Sequence, residues 1–366
     1  MKVALLGDIC LTGRFDLKYN QEAREIFDVV RSRLAVYDYV IANLESPLTN
    51  LNRSLVCKAI HIKSDPINVE LLKYLGVDAV SLANNHIFDY GKAGYQSTVA
   101  SLNESGIDHF GTCGKTLQLE KGRERILLGG FCCLSAHPTR ANSGGVNVLR
   151  YSSVQKFFQC AMEQNALPIM SVHWGEENIH YPSEDHVQLA RLLAKHQSYI
   201  LHGHHPHVVQ GVERYGDSLL AYSLGNFCTD QHVSRSVKNM VVRHSPSNQR
   251  SFILGVTIEG GKIVNSEIIP TVDCGLALEI GGQEDLERIA SFSAYLESNR
   301  SLYQRPARIQ SPADGVSYDS PPRYSLRWFV NRMNYQFIGA VAKGLINRCR
   351  YRFFFSTIAK KARKVF

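Results

Sequence analysis

Short runs of Val, Ile and Leu alternate with amphipathic stretches along the first 205 residues of the chain. The apolar runs are nearly continuous, which is typical of strands that are covered on both faces. They predict strands at residues 2–6, 38–42, 78–83, 125–134, 167–173 and 198–203. The amphipathic stretches predict helices at residues 20–36, 66–75, 92–105, 151–165 and 183–197. This alternation is the pattern of an α/β fold.

The pattern changes after residue 205, where short apolar segments are separated by turns. Gly260 and Gly261 lie between two such segments and predict a hairpin. An α/β half is thus followed by an antiparallel half, giving a mixed α/β and α+β class that two stacked mixed sheets flanked by helices would satisfy. A further helix is predicted near 283–299, and the Pro- and Ser-rich stretch at 305–323 has the composition of a linker.

Five of the predicted strands run directly into polar residues at their carboxyl ends. In open α/β sheets, ligands bind in the crevice outside these ends, so we expect the side chains to converge. A lone Asp after a strand often caps a helix, and a lone His in a strand is often a hydrogen-bonded core residue. Capping does not require three His-bearing strand ends. The five segments are Gly7-Asp8, Asn43-Leu44-Glu45, Asn84-Asn85-His86, His173-Trp174-Gly175-Glu176 and the stretch from His202 to His207.

The residue types in these segments point to metal chemistry. Carboxylate, amide oxygen and imidazole together suit Mn, Fe or Zn, with Mg also possible. Cys is absent from these strand ends, which argues against a structural zinc site. The potential ligands exceed the needs of one tetrahedral ion and predict two divalent ions bridged by a carboxylate. Such a pair can clamp the attacking and leaving oxygens of a phosphate ester.

The stretch "HGHHPH" leaves open which of its four histidines bind metal. Side chains two residues apart on an extended chain point the same way. Either the pair His202 and His204 or the pair His205 and His207 could therefore chelate an ion.

Seven motifs follow one another along the chain: "GDICLTGRFD", "NLESPLT", "LANNHIFDYGKAG", "FGTCG", "HWGEE", "GHHPHVVQGVE" and "YSLGNFCTD". In this order they resemble the capsule and poly-γ-glutamate synthesis (CapA-like) family. The resemblance covers roughly residues 1–275 and implies a four-layered αββα fold similar to that of calcineurin-like metallophosphoesterases. It also implies a role in making a bacterial surface polymer.

Roles follow from the resemblance position by position. Glu45 matches the bridging carboxylate, and the family pattern favours His205 and His207 as the chelating pair. His86 resembles the residue that stabilises the phosphoryl transition state or protonates the leaving group, and Asp89 could orient its ring. The implied metal ligands are Asp8, Glu45, Asn85, His173, His205 and His207.

One position departs from the wider superfamily, which opens with Asp-x-His. Here Cys10 stands in place of that histidine. The site could then be completed by Asp16 or Asn226, whereas Cys10 is either a thiolate ligand or a small buried residue. Occupancy by one or by two metals stays open at this point.

Several further residues have both a functional and a plain structural interpretation. Arg14 and Lys63 could bind substrate phosphate or carboxylate, or be solvated surface charges. Trp174 could stack on a sugar or pack in the core. The remaining candidates for substrate or supporting contacts are Glu176, Glu177, His204 and Asn226.

The charge of the chain is divided between an acidic body and a basic tail. The net charge is +8, but 11 of the 41 Lys and Arg residues and no Asp or Glu lie in residues 323–366, which leaves 30 basic against 33 acidic residues in 1–322. The aromatic, basic tail at 324–366 could bind an anionic membrane surface or pack on the body. Without a recognition module, this charge does not predict nucleic-acid binding.

The sequence predicts a domain at 1–275, a helical appendage at 276–304, the linker and a basic helical tail. Nine scattered cysteines without a CxxC pair indicate a reducing compartment, so we expect a cytoplasmic protein that could be peripheral on the inner membrane face. The expected function is metal-dependent hydrolysis of a phosphorylated or polymeric substrate in surface-polymer synthesis. The alternatives are a non-catalytic assembly component and a metal-dependent hydrolase of an amide bond.

Overall fold

The computed structural model describes residues 1–54, 60–136, 145–233, 241–298 and 316–318. Its strands are β1 Lys2–Cys10, β2 Tyr39–Leu44, β3 Ala79–Ser81, β4 Asp108–Phe110, β5 Thr116–Lys121, β6 Glu124–Cys132, β7 Leu167–His173, β8 Ile200–His204, β9 Val212–Tyr215, β10 Ser218–Ala221, β11 Asn226–Thr229, β12 His232–Val233, β13 Val241–His244, β14 Arg250–Glu259, β15 Lys262–Asp273, β16 Leu278–Ile280 and β17 Val316–Tyr318. Its helices are α1 Asp28–Leu34, α2 Val69–Leu75, α3 Gly91–Glu104, α4 Tyr151–Glu163, α5 Glu184–His196 and α6 Gln283–Ser298.

Two mixed sheets form the body, as the sequence predicted. The first has the order β16-β15-β14-β1-β2-β3-β4, with β11 also paired to β1. Its strands β1 to β4 and β11 run parallel, and β14 to β16 are antiparallel. The second sheet has the order β5-β6-β7-β8-β10-β9, in which only the edge strands β5 and β9 pair antiparallel.

Alternating side chains divide the core into three hydrophobic clusters. Val3 and Leu5 of β1 belong to the cluster shared by both sheets, and Ala4 and Leu6 belong to the cluster that includes residues of α1, α2 and α3. On the second sheet, Leu127 of β6 faces a third cluster with residues of α4 and α5. Helices therefore cover the outer face of each sheet, and the inner faces pack on each other.

Most predicted helices are present, and the first is shorter than expected. The helix predicted at 66–75 begins with a 3-10 turn at Pro66–Asn68, which Asp65 caps by accepting from the Ile67 amide, and continues as α2, which ends at Gly76 with a φ of 73°. The predicted helix at 20–36 is wrong over its first half, because α1 begins only at residue 28. The Asn20 amide donates to the carbonyl of Arg14, an example of the local side-chain bonding that competes with helix formation.

The predicted appendage and part of the predicted linker are structurally joined to the body. Helix α6 buries Ile289, Phe292 and Leu296 in the hydrophobic clusters. Residues 316–318 of the predicted linker form β17, which pairs with β13. The rest of that linker and the tail at 324–366 lie outside the described residues. Within the described part of the chain, no helix combines the length and hydropathy needed to cross a membrane.

A buried ion pair ties α6 and α5 to the second sheet. Arg191 of α5 donates from Nε and Nη2 to the two carboxylate oxygens of Glu213, at 3.0 and 2.8 Å, and from Nη2 to the carbonyl of Leu296 at 2.8 Å. Tyr222 donates to the same carboxylate at 2.6 Å. Every oxygen of the Glu213 carboxylate is therefore compensated, as burial of its charge requires.

We expect Arg191→Met to lower the free energy of unfolding by about 3–5 kcal/mol, because it leaves the Glu213 charge buried without its cation. Denaturant unfolding followed by circular dichroism measures the change. The control is Lys73→Met, which removes an exposed pair with Glu70 and should cost less than about 1 kcal/mol. Equal losses in the two variants would contradict the structural role of the buried pair.

Candidate metal centre

The centre is organised around the carboxylate of Asp8, which lies at the seam of the two sheets and is 0% exposed. Asn43 Nδ2, on the neighbouring strand β2, donates to Asp8 Oδ1 at 2.8 Å. From the second sheet, the backbone amide of His205 donates to Asp8 Oδ2 at 3.1 Å. Burial alone would raise the pKa of Asp8, but His204, His173 and other nearby histidines hold it well below its ordinary value.

Strand β11 places Asn226 beside Asp8, where the two residues are paired across the strands. Asn226 Oδ1 lies 2.9 Å from His207 Nδ1. This pairing depends on Gly7, because a Cβ there would come within 2.1 Å of the carbonyl oxygen of Gly225. The amide of Asp8 donates to that same oxygen at 2.9 Å. Asn226 thus supports His207, one of the interpretations that the sequence allowed.

The His-rich stretch divides its four side chains between core and centre. His202 is buried in the core, with Nε2 2.7 Å from the carbonyl of Leu6. Strand β8 ends at His204, and the chain then turns. His205 and His207 have φ values of 95° and 58°, a left-handed conformation that is uncommon outside glycine and recurs at functional sites. The premise of an extended chain holds for His202 and His204 within β8 but not for His205 and His207, although the turn still brings the latter pair into the candidate metal groups.

Two overlapping groups of side chains could each hold a metal ion. Asp8, Glu45 and His207 form one group, and Glu177, His205 and His207 form the other, with the ligand atoms of each within 4.8 Å of one another. Glu177 is a candidate ligand that the sequence placed only among supporting contacts. The signal in the sequence was the "HWGEE" motif. Glu176 was favoured there for a supporting contact, whereas the structure brings Glu177 to the group.

The remaining predicted ligands lie close to these groups. His173 Nε2 lies 3.0 Å from Asn85 Oδ1 and 3.7 Å from Glu45 Oε1. His204 Nδ1 lies 3.2 Å from Asp8 Oδ1, at an angle that does not make a hydrogen bond. The structure therefore brings together all six predicted ligand residues. Their individual roles stay predictions.

Several buried ring nitrogens at the centre have no hydrogen-bond partner among the described residues. They are His173 Nδ1, His204 Nε2 and His205 Nδ1. Buried polar atoms are normally satisfied, so such a concentration calls for a ligand that accepts lone pairs. Imidazole nitrogens beside carboxylates fit a divalent cation. The donor set is thus consistent with a metal site.

The two histidines of the turn differ in protonation. Burial lowers the pKa of His205 to about 4, so the ring is neutral at pH 7 and ready to coordinate. Burial also lowers the pKa of His207, but the negative charges of Glu45, Asp8 and Glu177 outweigh it and raise the pKa to about 9. His207 therefore carries a proton at pH 7 that metal binding must displace.

His86 and Asp89 form a buried pair next to the metal groups. His86 Nδ1 lies 2.6 Å from Asp89 Oδ2, which also accepts from the amide of Ile62 at 3.0 Å. Asn84 Oδ1 holds the loop by accepting from the amides of His86 and Ile87. The contact expected between His86 and Asp89 is present. Their catalytic role stays a prediction.

Other predicted site residues lie elsewhere. Arg14 is paired with Asp273, so it is neither at the centre nor a solvated charge. Trp174 is 1% exposed and stacks on His186 with ring centroids 4.6 Å apart, which corrects the sugar-stacking interpretation in favour of packing. Asp16 does not complete the centre, because it accepts a hydrogen bond from Asn68 in a separate network.

Of the two interpretations of Cys10, the structure favours a small buried residue. Burial, and then the charge of Glu45, raise the pKa of its thiol well above the ordinary value, so the thiol is protonated. Its sulfur lies 3.9 Å from Thr12 Oγ1. Among the described residues, neither metal-binding group includes Cys10.

We expect binding of Mn²⁺ or Zn²⁺ at pH 7 to release about one proton, because His207 must lose its proton to coordinate and His205 has none to lose. Affinity should rise with pH between about pH 6 and the pKa of His207 at about 9. Titration calorimetry in buffers of different ionisation enthalpy counts the protons. His109→Gln, which removes a buried histidine outside both groups, should leave the count unchanged. A binding heat that is the same in every buffer would contradict the assignment.

Comparison with known proteins places this arrangement in a family. The model of the bacterial capsule synthesis protein PGA_cap matches residues 2–231. The PGA biosynthesis protein CapA of Bacillus subtilis (strain 168) is 28% identical over 256 residues, covering 67% of each chain. The capsule biosynthesis protein CapA of Bacillus anthracis is 27% identical over 273 residues, covering 70% of this chain and 66% of the relative. The alignments thus span about two thirds of the relatives' own length.

A solved structure of a hypothetical protein from Thermus thermophilus is also similar, with 17% identity and a TM-score of 0.44 over 74% of this chain and 98% of the other. Because the family model covers well over half of the residues, the resemblance found in the motifs is confirmed: the chain belongs to the family of the bacterial capsule synthesis protein PGA_cap.

Proposed function

We propose that this protein is a metal-dependent hydrolase of the phosphoesterase type, acting in the synthesis of a bacterial capsule or related surface polymer. The observation that carries the chemistry is the overlap of two carboxylate–histidine groups at His207, next to the pair of His86 and Asp89. The place in polymer synthesis rests on the family and on the names of the two Bacillus relatives.

The two groups at His207 would hold the ions, with Mn, Fe or Zn preferred by their nitrogen and oxygen donors and Mg also possible. Bound divalent ions supply positive charge that favours ionisation of water near neutral pH and stabilises charge on phosphoryl oxygens. The chain contributes the arrangement of the donors. Asp8 is fixed by Asn43 and by the His205 amide, so its carboxylate cannot turn away from the centre.

His86 is the residue that we assign to the leaving group. Asp89 holds ring nitrogen Nδ1, so proton transfer to a departing oxygen would run through Nε2. Asp89 in turn cannot rotate freely, because its Oδ2 also accepts the Ile62 amide. The three groups form a chain that orients the imidazole ring before substrate arrives.

We expect His86→Gln to lower kcat for an alkyl phosphodiester, whose alkoxide leaving group needs a proton, by roughly 10²–10⁴-fold, the usual contribution of a general acid. Metal content should stay unchanged, because His86 lies outside both metal groups. Asp8→Asn should instead lose bound metal as well as turnover. Purified full-length variants loaded with Mn²⁺ or Zn²⁺ are compared by steady-state kinetics and elemental analysis.

The matched control is His196→Gln, which alters an exposed histidine at the end of α5. An L-γ-glutamyl-p-nitroanilide substrate tests the amide-hydrolase alternative in the same preparations. Bound metal without turnover of any phosphoester would overturn the phosphoesterase proposal. Turnover of the anilide alone would replace it with amide hydrolysis, and no turnover at all would favour the assembly role.

A further inference from the structure

A cavity of about 460 Å³ lies beside the candidate metal centre. Its wall includes Ile62, whose amide is bonded to Asp89, and Thr12, which lies two residues beyond the end of β1. Gln231, just after β11, also lines the cavity. Thr12 and Gln231 thus lie beyond the ends of the two strands that carry Asp8 and Asn226. The cavity wall is thus connected to the His86–Asp89 pair through Ile62, and to β1 and β11 through Thr12 and Gln231.

The charges on the cavity wall are balanced. Two lysines and two aspartates line it. Lys18 and Asp65 form an ion pair with a nitrogen–oxygen distance of 3.1 Å. The Asp16 carboxylate accepts hydrogen bonds from the Lys18 amide at 3.0 Å and from Asn68 at 2.8 Å. The wall therefore offers as many carboxylates as ammonium groups, and both carboxylates have donors within the protein.

Lys63 is held within this balanced wall by neutral oxygens. Its Nζ donates to the carbonyl of Leu51 at 2.6 Å and to Asn52 Oδ1 at 3.1 Å, and it lies 5.5 Å from the centre of the Tyr90 ring. These contacts place the ammonium group in the wall itself. Lys63 is only partly buried, and its role in substrate binding stays a prediction.

The remaining polar wall consists of the His61 imidazole and of amides and hydroxyls, groups that can both donate and accept hydrogen bonds. Amides come from Asn50, Asn52 and Gln231, and hydroxyls come from Thr12 and Thr49. Such groups match ligand hydroxyls, which also donate and accept, and their directional bonds supply specificity without requiring charge on the ligand.

Tyr19 adds an aromatic surface to this polar wall. Its side chain is 78% exposed, which is unusual for a large ring, and it lines the cavity. An aromatic ring presents an apolar face together with a polar hydroxyl, a combination that serves amphipathic ligands. Sugar rings combine hydroxyl groups with apolar C–H faces, so they are amphipathic in this sense.

We propose that the cavity binds a neutral, hydroxyl-rich ligand, an oligosaccharide segment, with Tyr19 and Asn52 as its principal contacts. A polyanionic segment fits less well, because it would meet two carboxylates on the wall, and residues 1–322 carry 30 basic against 33 acidic residues. The cavity size is within the range of small-ligand sites. The assignment rests on the proposed function only in treating this segment as the part of the substrate beside the bond that is broken.

The test is binding of the full-length protein, with and without added Mn²⁺, to an array of neutral and acidic oligosaccharides and to poly-γ-glutamate. We expect neutral glycans to bind preferentially. The dissociation constant of the best one, measured by calorimetry, should change less than about twofold between roughly 50 and 300 mM NaCl, because no net charge is paired. Tyr19→Ala and Asn52→Ala should each weaken it at least about tenfold.

Asn103→Ala provides the matched control, because Asn103 is exposed on α3 away from the cavity wall. Binding of acidic polymers alone, absence of binding to any neutral glycan, or unchanged affinity in both cavity variants would each overturn the proposal. Turnover of bis-p-nitrophenyl phosphate by the unaltered protein is measured in parallel. Glycan binding without turnover would defeat the phosphoesterase function and leave the cavity assignment intact, whereas turnover without glycan binding would do the reverse.

Discussion

Burial of the Asp8 charge is the constraint on which the site and the packing of the sheets both depend. A carboxylate removed from water must be compensated by donors and positive charge. One donor, Asn43, comes from the adjacent strand, and another, the amide of His205, comes from the opposite sheet. The relative position of the sheets is therefore coupled to the geometry of the centre. The bond between His202 and the carbonyl of Leu6 reinforces that coupling.

The turn after β8 brings two histidines of this seam into groups that could hold a metal ion. His205 and His207 have left-handed backbone, and their rings lie near carboxylates from different segments of the chain. Asn248 stabilises the turn by donating to the carbonyl of His207 at 3.0 Å. The energetic cost of such backbone, of order 1–3 kcal/mol per residue, is borne by surrounding contacts and would be further offset by ligand binding. His207 belongs to both candidate groups, so its position affects each of them.

The centre and the neighbouring cavity share a single structural support. Ile62 contributes its side chain to the cavity wall and its amide to Asp89. Asp89 holds His86 in turn. The cavity wall and the His86–Asp89 pair therefore share the segment at Ile62, so a change in that segment would affect both.

The pattern of hydrophobic and polar residues was sufficient to predict the strands, most of the helices and the residues that meet at the centre. Continuous apolar runs define buried strands, and parallel strands bring their carboxyl ends to one edge, so the pattern alone predicts that Asp8, Glu45 and His173 lie close together. The first helix was overextended because Asn20 bonds to backbone locally, an effect that periodicity does not register.

Tertiary structure alone decided how the predicted residues divide their roles. Contacts between segments distant in sequence bring Glu177, rather than Glu176, to the centre. Such contacts also pair Arg14 with Asp273 and bury Trp174. Hydrophobic and polar patterns specify which face of an element is buried. They do not specify backbone dihedrals in a turn or the partner that a charge finds across the fold. The sequence by itself thus determined the elements and the chemistry of the donors, and the packed fold determined their geometry.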